Sequence, residues 1–364
     1  MIVTTERECA GRTVTLRAAT RGATLLSYRL GETEVIDGYR NPAELRELNG
    51  FRSAVLVPWS NRIRAGRYPA ALYHGDDAAV RAHLHAEVPV NGVHSVPEPL
   101  PDTEPGLHGL VTTREFEVIR AENGVLEFGT RLDANSVYPF ELAVNIVYSI
   151  GEDGSLHVRL RAENLSEAAA PVALGWHPYF RLAGPLEDAR LSLDCRARIA
   201  TDAALIPCDG AGAFAPCEPL ADSPIDPATD WAYARLADSA GPDAGAAGAG
   251  GGAVGSAGNT DGSADGSGGA RVGVGAGAGW NVARLRTGNR EVALWARLGD
   301  WPSKNFHIFA GSGLARDAGQ AVAMEPCQAL PDAFNRAEGR KMLLEPGARR
   351  ELEARVVVTE VAGA

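Results

Sequence analysis

The sequence predicts an all-β fold, a β-sandwich or a barrel with few short helices, and three observations support this prediction. Apolar and polar residues alternate with a period of two in short segments along most of the chain, as half-buried antiparallel strands require. Turn-forming residues separate these segments. Amphipathic helical patterns are rare, and the best short candidate covers residues 41–48.

The alternating segments extend over nearly the whole chain. They cover residues 13–17, 115–119, 125–128, 143–150 and 156–160 in the first half, and 191–193, 292–295, 306–309 and 352–358 in the second half. The Glu-Asp-Gly-Ser sequence at 152–155 separates two strong segments and predicts a tight hairpin turn.

Composition and charge exclude several classes of protein. The chain has 364 residues, of which 45% are hydrophobic, so it can bury a large core. A formal net charge of −11 without a basic block argues against nucleic acid or a membrane surface as the partner. No apolar run is long enough to span a bilayer, and the first residues lack a signal-peptide pattern, which predicts a cytoplasmic protein. The five cysteines are widely spaced and contain no CxxC pair, which favours reduced thiols.

Glycine is unevenly distributed along the chain. Of the 42 glycines, 16 lie between Gly241 and Gly279, mixed with Ala, Ser and Asp. Such a segment cannot bury enough apolar surface to offset its backbone entropy, so we expect it to be flexible. Because similar strand patterns occur before and after it, we expect a single domain over 1–364 with a flexible Gly/Ala/Ser-rich insertion at 241–279.

Four short segments concentrate polar and aromatic groups that can perform chemistry. They are PWSNRIRAGRY at 58–68, GLHGL at 106–110, GWHPYF at 175–180 and MEPCQALPDAFN at 324–335.

The candidate acid and base residues each allow two interpretations. His177 lies beside Trp176 and close to Tyr179, in a cluster that would desolvate an imidazole and offer flat faces to a ring-shaped ligand, although an ordinary hydrogen-bonded histidine is more common. His108, between Leu and Gly, lines either a cleft or a turn. Glu325 follows an apolar strand and is either a strand end or a buried acid with a raised pKa, suited to act as a general base.

Other polar residues give weaker signals. Asn61 and Arg62 can donate hydrogen bonds to hydroxyls or pair with a carboxylate, and otherwise belong to a solvated loop. His83, His85 and His94 are close in sequence, but no further ligand follows at a suitable spacing, so metal binding is disfavoured. The chain contains no G-x-S-x-G elbow and no phosphate-loop pattern, which disfavours serine nucleophiles and nucleotide binding.

Taken together and in this order, the segments resemble those of the aldose 1-epimerase (galactose mutarotase) family. Residues 58–68 are similar to its N-R-I-x-x-G-x-Y element, 107–109 to L-H-G, 175–180 to G-x-H-P-Y-F, and 325–335 to the C-terminal E-P element. Residues 205–207 and 229–232 resemble two softer signatures, of which the second contains Asp230. The resemblance covers roughly residues 10 to 360.

The resemblance implies a large antiparallel β-sandwich of the galactose mutarotase-like supersandwich type, with the sugar in an open cleft. It implies that His177 is the general acid that protonates the ring oxygen and that Glu325 is the general base that takes the proton from the C1 hydroxyl. His108 would hold and polarise the sugar near C1 and O5. The residues assigned to substrate binding are Asn61, Arg62, Asp230, Trp176 and Tyr179.

The implied reaction interconverts the α and β anomers of a free hexose or related aldose. Ring opening removes one proton from O1 and delivers one to O5, and the aldehyde then rotates and recloses on its other face. We therefore expect no cofactor, and we expect Glu325 to be ionised and His177 to be protonated near neutral pH. The expected protein is a monomer or homodimer whose partner is a small-molecule sugar.

Three alternatives remain open at this stage. An epimerase for a phosphorylated or acidic sugar is possible because Arg62, Arg64 and Arg67 cluster. A non-catalytic sugar-binding or regulatory protein on the same fold is a second alternative, although it would not need an acid and a base together. A glycosidase would use Glu325 and Asp230 as its two carboxylates, and would leave the two histidines without a role.

Overall fold

The computed structural model describes residues 1–64, 67–68, 86–87, 106–135, 138–238, 279–301 and 303–361. These residues form short β-strands, one short α-helix and several 3₁₀ helices. No helix within these ranges is long and apolar enough to cross a membrane. His83, His85, His94 and nearly all of the glycine-rich segment lie outside the described residues, so the expectations for them stay predictions.

The strands fall into three groups along the chain. The first group is β1 (Ile2–Cys9), β2 (Arg12–Ala19), β3 (Leu25–Leu30), β4 (Thr33–Glu34), β5 (Ala54–Leu56), β6 (Arg62–Ile63), β7 (Arg67–Tyr68), β8 (Ala86–Glu87) and β9 (Gly106–Leu107). The second group is β10 (Glu117–Glu122), β11 (Val125–Leu132), β12 (Leu142–Ile150), β13 (Leu156–Asn164), β14 (Ala170–Pro171), β15 (Gly175–His177), β16 (Tyr179–Arg181), β17 (Arg190–Leu193) and β18 (Ala197–Ile199). The third group is β19 (Phe214–Pro216), β20 (Leu220–Pro224), β21 (Asp230–Ala234), β22 (Asn281–Thr287), β23 (Arg290–Arg297), β24 (Asn305–Phe309), β25 (Ala321–Cys327), β26 (Leu343–Leu344) and β27 (Arg349–Glu360).

The helical segments are short. The α-helix α1 covers Pro42–Glu47, and the 3₁₀ helices cover Asn49–Phe51, Leu186–Asp188, Gly210–Ala213, Ala333–Asn335 and Ala337–Met342. The Asn41 side chain accepts hydrogen bonds from the first backbone N–H groups of α1, and Leu48 ends the helix in the left-handed conformation. The helix predicted at 41–48 is thereby confirmed.

Most of the described strands assemble into two large antiparallel sheets. One sheet has nine strands in the order β10-β11-β12-β13-β27-β23-β22-β17-β20. The other has the order β19-β18-β21-β24-β25-β15-β5, with β16 as a further partner of β25. The predicted hairpin lies between β12 and β13, where Gly154 has a φ of 83° and Asp153 accepts hydrogen bonds from Ser155.

The two large sheets pack face to face around one apolar core. Alternate residues of β12 and β13 are buried, as the period-two pattern requires. Tyr148 of the nine-stranded sheet approaches Trp176 of the other sheet with ring centroids 6.5 Å apart. The four-stranded sheet β1-β2-β3-β4 joins this core, and Tyr28 donates to the Gly154 carbonyl over 2.7 Å. The predicted antiparallel β-sandwich is confirmed.

Strands from both sides of the glycine-rich segment lie in the same sheets. β13 pairs with β27, β17 with β22, and β21 with β24. The two chain ends that flank the segment are adjacent, because Asn281 donates to the Ala237 carbonyl over 2.9 Å and to Asp238 over 3.1 Å.

Candidate active site

The candidate site lies on the face of the second large sheet that points away from the core. His307 of β24 lies directly opposite Glu325 of β25 in the strand register. Gly175 lies opposite Cys327, which places His177, two residues further along β15, level with Glu325. Because paired residues of antiparallel strands project to the same face, the two histidines and the glutamate form one row of neighbours.

His177 and Glu325 are in direct contact. The His177 Nε2 atom lies 3.2 Å from the Glu325 Oε1 atom, and the residues are 5% and 1% exposed. Burial raises the pKa of Glu325 to about 7 and lowers the pKa of His177 to about 3. The structure therefore differs from the expectation that Glu325 is ionised and His177 protonated near neutrality, because desolvation disfavours the charged form of both groups.

His108 follows β9 and reaches the same place because β9 pairs with β6, which begins next to Asn61. Both residues have left-handed backbones, with φ values of 61° and 58°, a conformation that asparagine and histidine adopt more readily than most residues. The His108 N–H donates to the Asn61 carbonyl over 2.8 Å, and the Asn61 N–H donates to His108 Nδ1 over 3.3 Å. The second contact leaves the ring proton on Nε2. Burial and the neighbouring His177 hold the pKa of His108 well below its usual value, so the ring is a neutral donor.

Arg62 is held by its neighbours on both sides of the loop. The Asn61 Oδ1 atom accepts from the Arg62 backbone N–H over 2.9 Å and from Arg62 Nη1 over 3.1 Å. The Asp332 backbone N–H donates to the Arg62 carbonyl, and the Asp332 side chain accepts from the Arg64 N–H over 2.8 Å. The C-terminal motif thus clamps the Asn-Arg-Ile segment, a role that the sequence did not suggest for Asp332.

Asp230 and His307 form a second pair in the site. Their side chains approach to 2.6 Å between Asp230 Oδ1 and His307 Nε2, and His307 is 6% exposed. The hydrogen bond from His307, together with Arg62, lowers the pKa of Asp230 in spite of its burial. Sequence reasoning placed residue 307 in a strand without assigning it to the site. The available signal was a histidine between Phe306 and Ile308 on a strand that is otherwise apolar.

Of the two aromatic residues expected to bind substrate, only Tyr179 lies beside the cluster. Its ring stacks on His177 with centroids 5.2 Å apart and 12° between the planes, and Arg52 lies 5.1 Å from the ring centroid on top of it. Trp176 is fully buried in the core against Tyr148. The structure does not bring Trp176 into the site, because adjacent residues of a strand face opposite sides of the sheet.

A cavity of about 660 Å³ lies elsewhere, along the N-terminal sheet and α1. Its lining includes Arg17, Arg29, Glu34 and Tyr39 and none of the residues assigned to the site from sequence. This cavity therefore does not mark the position of the acid and base groups.

Known proteins resemble this chain in sequence. The family model described as aldose 1-epimerase matches residues 96–213. The Escherichia coli K12 protein YihR, which is uncharacterised, is 29% identical over 183 residues. This match covers 48% of the present chain and 52% of YihR, so it spans about half the length of that relative.

Solved structures share the fold over the full chain. A putative aldose 1-epimerase from Escherichia coli K12 has a TM-score of 0.68 at 15% identity and covers 99% of this chain and 100% of its own. A GalM/aldose epimerase homologue from C. elegans has a TM-score of 0.68 at 16% identity, with 100% of both chains covered. A galactose 1-epimerase from Lactobacillus acidophilus has a TM-score of 0.64 at 15% identity and covers 100% of this chain and 99% of its own. The family match and the galactose mutarotase-like fold together confirm the resemblance of this chain to the aldose 1-epimerase family.

Proposed function

We propose that the protein is an aldose 1-epimerase that interconverts the α and β anomers of a free hexose or related aldose. The observation that carries the proposal is the contact between His177 Nε2 and Glu325 Oε1 at 3.2 Å, in a buried position beside the neutral donor His108. The proposal includes a cytoplasmic location and a small-molecule sugar as the partner.

The pair of groups suits the ring-opening step. O1 and O5 of a cyclic aldose are both bonded to C1, so an acid and a base that touch each other can reach both oxygens. The single proton of the pair first passes from Glu325 to His177 across their 3.2 Å contact. Glu325 then takes the proton from the O1 hydroxyl as the C1–O5 bond breaks, and His177 delivers its proton to O5. After rotation about the C1–C2 bond, the O5 hydroxyl attacks the aldehyde, returns its proton to His177, and O1 regains its proton from Glu325. Both groups are restored at the end of the cycle.

Two buried atoms of the pair lack a partner within the described part of the chain. The His177 Nδ1 and Glu325 Oε2 atoms are buried and make no hydrogen bond there. Leaving such atoms unpaired costs about 1–3 kcal/mol each, and functional sites are among the places where this cost is tolerated. Sugar hydroxyls would supply hydrogen bonds of the kind that these atoms lack.

The other polar residues have roles in holding the sugar. His108 presents its Nε2–H donor beside His177, at a ring distance of 5.1 Å. Arg62 and Asp230 are half-buried, and their opposite charges lie at the same site, since each shifts the pKa of the other. A cation and a carboxylate can together bind neighbouring sugar hydroxyls, the first as donor and the second as acceptor.

Anomer exchange measured by polarimetry or NMR tests the proposal. The substrates are α-glucose, α-galactose and a C6-phosphorylated hexose, each compared with buffer alone. Glu325→Gln and His177→Asn should each lower kcat by at least about a hundredfold, the usual scale for loss of a general acid or base. The matched controls are Glu117→Gln and His157→Asn, which change the same residue types on the nine-stranded sheet and should leave the rate unaltered.

The outcomes separate the alternatives. If the wild-type protein exchanges no sugar faster than buffer does, the enzymatic proposal fails, and binding without turnover would instead support a sugar-binding protein. Exchange of the phosphorylated hexose alone would assign the protein to acidic sugars. Full activity in both site variants would move the acid and base roles to other residues.

A further inference from the structure

We propose that His307 is a positioning residue that links Asp230 on one side of the site to the Asn61–Arg62 loop on the other. This inference rests on the proposed function, because it assigns His307 a part in binding the sugar. It adds a residue that neither the motifs nor the sequence pattern assigned to the site.

A continuous chain of hydrogen bonds carries the inference. Asp230 Oδ1 lies 2.6 Å from His307 Nε2, and His307 Nδ1 lies 3.3 Å from Asn61 Nδ2. The other end of the Asn61 amide accepts from the Arg62 backbone N–H over 2.9 Å and from Arg62 Nη1 over 3.1 Å. The two substrate-binding charges, Asp230 and Arg62, are therefore joined through His307 and Asn61.

The donor and acceptor roles in this series of hydrogen bonds follow from the Arg62 backbone N–H, whose role is fixed. Asn61 Oδ1 faces the Arg62 backbone N–H, which can only donate, so the Asn61 amide nitrogen must be the atom that faces His307. An amide N–H₂ group also only donates, and His307 Nδ1 must therefore accept. The proton of the neutral ring is then on Nε2, where it is donated to the Asp230 carboxylate.

The charged groups around His307 affect its pKa, and the protonation of His307 in turn decides whether its hydrogen bond to Asn61 can form. Burial and Arg62 lower the pKa of His307, but Glu325 on β25 and Asp230 on β21 together raise it by more, so the pKa lies above its usual value. His108 and His177 are the other titratable groups whose charges interact with that of His307. A second proton, on Nδ1, would place an N–H donor of His307 opposite the donating amide group of Asn61. The hydrogen bond between His307 and Asn61 therefore requires the neutral ring.

The position of His307 in the sheet suits it to this link. Its strand β24 lies between β21, which carries Asp230, and β25, which carries Glu325. The loop with Asn61 and Arg62 belongs to a different part of the chain, and among the described strands it does not pair with β21. The imidazole, with acceptor and donor on opposite sides of the ring, spans the gap between them.

Variants at position 307 test the inference through a division between binding and turnover. His307→Phe keeps a flat ring but removes both hydrogen bonds, and it should raise KM for the exchanged sugar by about ten- to a hundredfold with a smaller change in kcat. His307→Gln can still accept from Asn61 and donate to Asp230, so it should recover most of the affinity. Equal KM values in all three proteins, or a loss of kcat alone, would overturn the positioning role.

A second measurement does not depend on sugar turnover. Long-range ¹H–¹⁵N NMR spectra of the histidine rings at pH 8 should show His307 as the Nε2–H tautomer, assigned by the signal that His307→Gln removes. A neutral His307 ring protonated on Nδ1 would contradict the proposed series of hydrogen bonds, even if the protein is an active epimerase. Conversely, if His307 has the expected tautomer but the protein exchanges no sugar, the proposed function is rejected and the proposed series of hydrogen bonds is retained.

Discussion

At the scale of single residues, the chemistry of the site depends on how strongly Glu325 and His177 are buried. A carboxyl group in solution would be ionised, and an imidazole partly protonated, at neutral pH. Burial moves the two pKa values in opposite directions, to about 7 and about 3. Between these limits the pair holds one proton, which is the number that the proposed acid and base catalysis requires of it.

The pH dependence of kcat/KM should show the loss of this shared proton. The pair is singly protonated between about pH 3 and pH 7 and deprotonated above pH 7, because His177 has a pKa of about 3 and Glu325 has a pKa of about 7. We expect kcat/KM to be constant on the acid side of pH 7 and to fall about tenfold per pH unit well above it. A polarimetric pH profile checks this. A rate that increases through pH 7 would mean that ionised Glu325 acts without His177 as its acid.

Burial of Glu325 should also affect how the free energy of unfolding of the protein depends on pH. Since its folded pKa lies above the ordinary value of 4.5, the folded state binds more protons than the unfolded state between about pH 4.5 and 7. The free energy of unfolding therefore falls as the pH rises through this window.

Glu325→Gln removes this loss of stability. The variant should exceed the wild type by about 1–3 kcal/mol in free energy of unfolding at pH 8, and the difference should vanish near pH 4.5. Urea unfolding at the two pH values measures it, with the exposed Glu117→Gln as the control that should show no difference. A variant less stable than the wild type at pH 8 would contradict the prediction.

At the scale of elements, short strands and loops set the positions of the site residues. Gly109 forms an isolated bridge with Val57, next to His108 and close to Asn61. Its φ is +75°, and a Cβ atom would lie 2.2 Å from the Val57 carbonyl oxygen. Only glycine allows this approach, which fixes the backbone that carries His108.

Gly109→Ala should therefore destabilise the protein. The strained φ alone costs about 1–3 kcal/mol, and the backbone contact adds to it. We expect a lower melting temperature and a lower rate of the proposed anomer exchange, both measurable on one purified variant. Gly184→Ala is the matched control, because no atom lies within 4 Å of its added Cβ. A Gly109→Ala protein as stable as Gly184→Ala would show that the bridge does not fix the loop.

At the scale of the whole molecule, we propose a single folded unit interrupted by the glycine-rich insertion. Strands before and after the insertion pair in both large sheets. The candidate site has the same property, because His177 and Asp230 precede the insertion and His307 and Glu325 follow it.

Replacing residues 241–278 by a direct connection from Ala240 to Gly279 tests this proposal. The flanking chain ends are adjacent, as the hydrogen bonds from Asn281 to Ala237 and Asp238 show, and shortening a long loop reduces its closure entropy. We expect one cooperative unfolding transition by calorimetry, at a melting temperature no lower than that of the full chain. Two separate transitions in the full chain would instead indicate two domains.

The sequence by itself predicted much of the fold because the relevant signals are local. Period-two alternation marks the strands, and a short amphipathic pattern over residues 41–48 marks the helix. His108, His177 and Glu325 were found because each lies in a short motif whose order along the chain is specific. Each of these signals depends only on residues that are close together in the sequence.

Tertiary structure alone decided which of these residues meet and in what ionisation state. The contact between His307 and Asn61 joins residues 246 positions apart, and strand pairing over such distances leaves no local pattern. Trp176 and His177 are sequence neighbours, yet one packs in the core and the other lies in the site, because the sheet separates its two faces. The pKa values of His177 and Glu325 depend on burial by the whole fold, which no motif records.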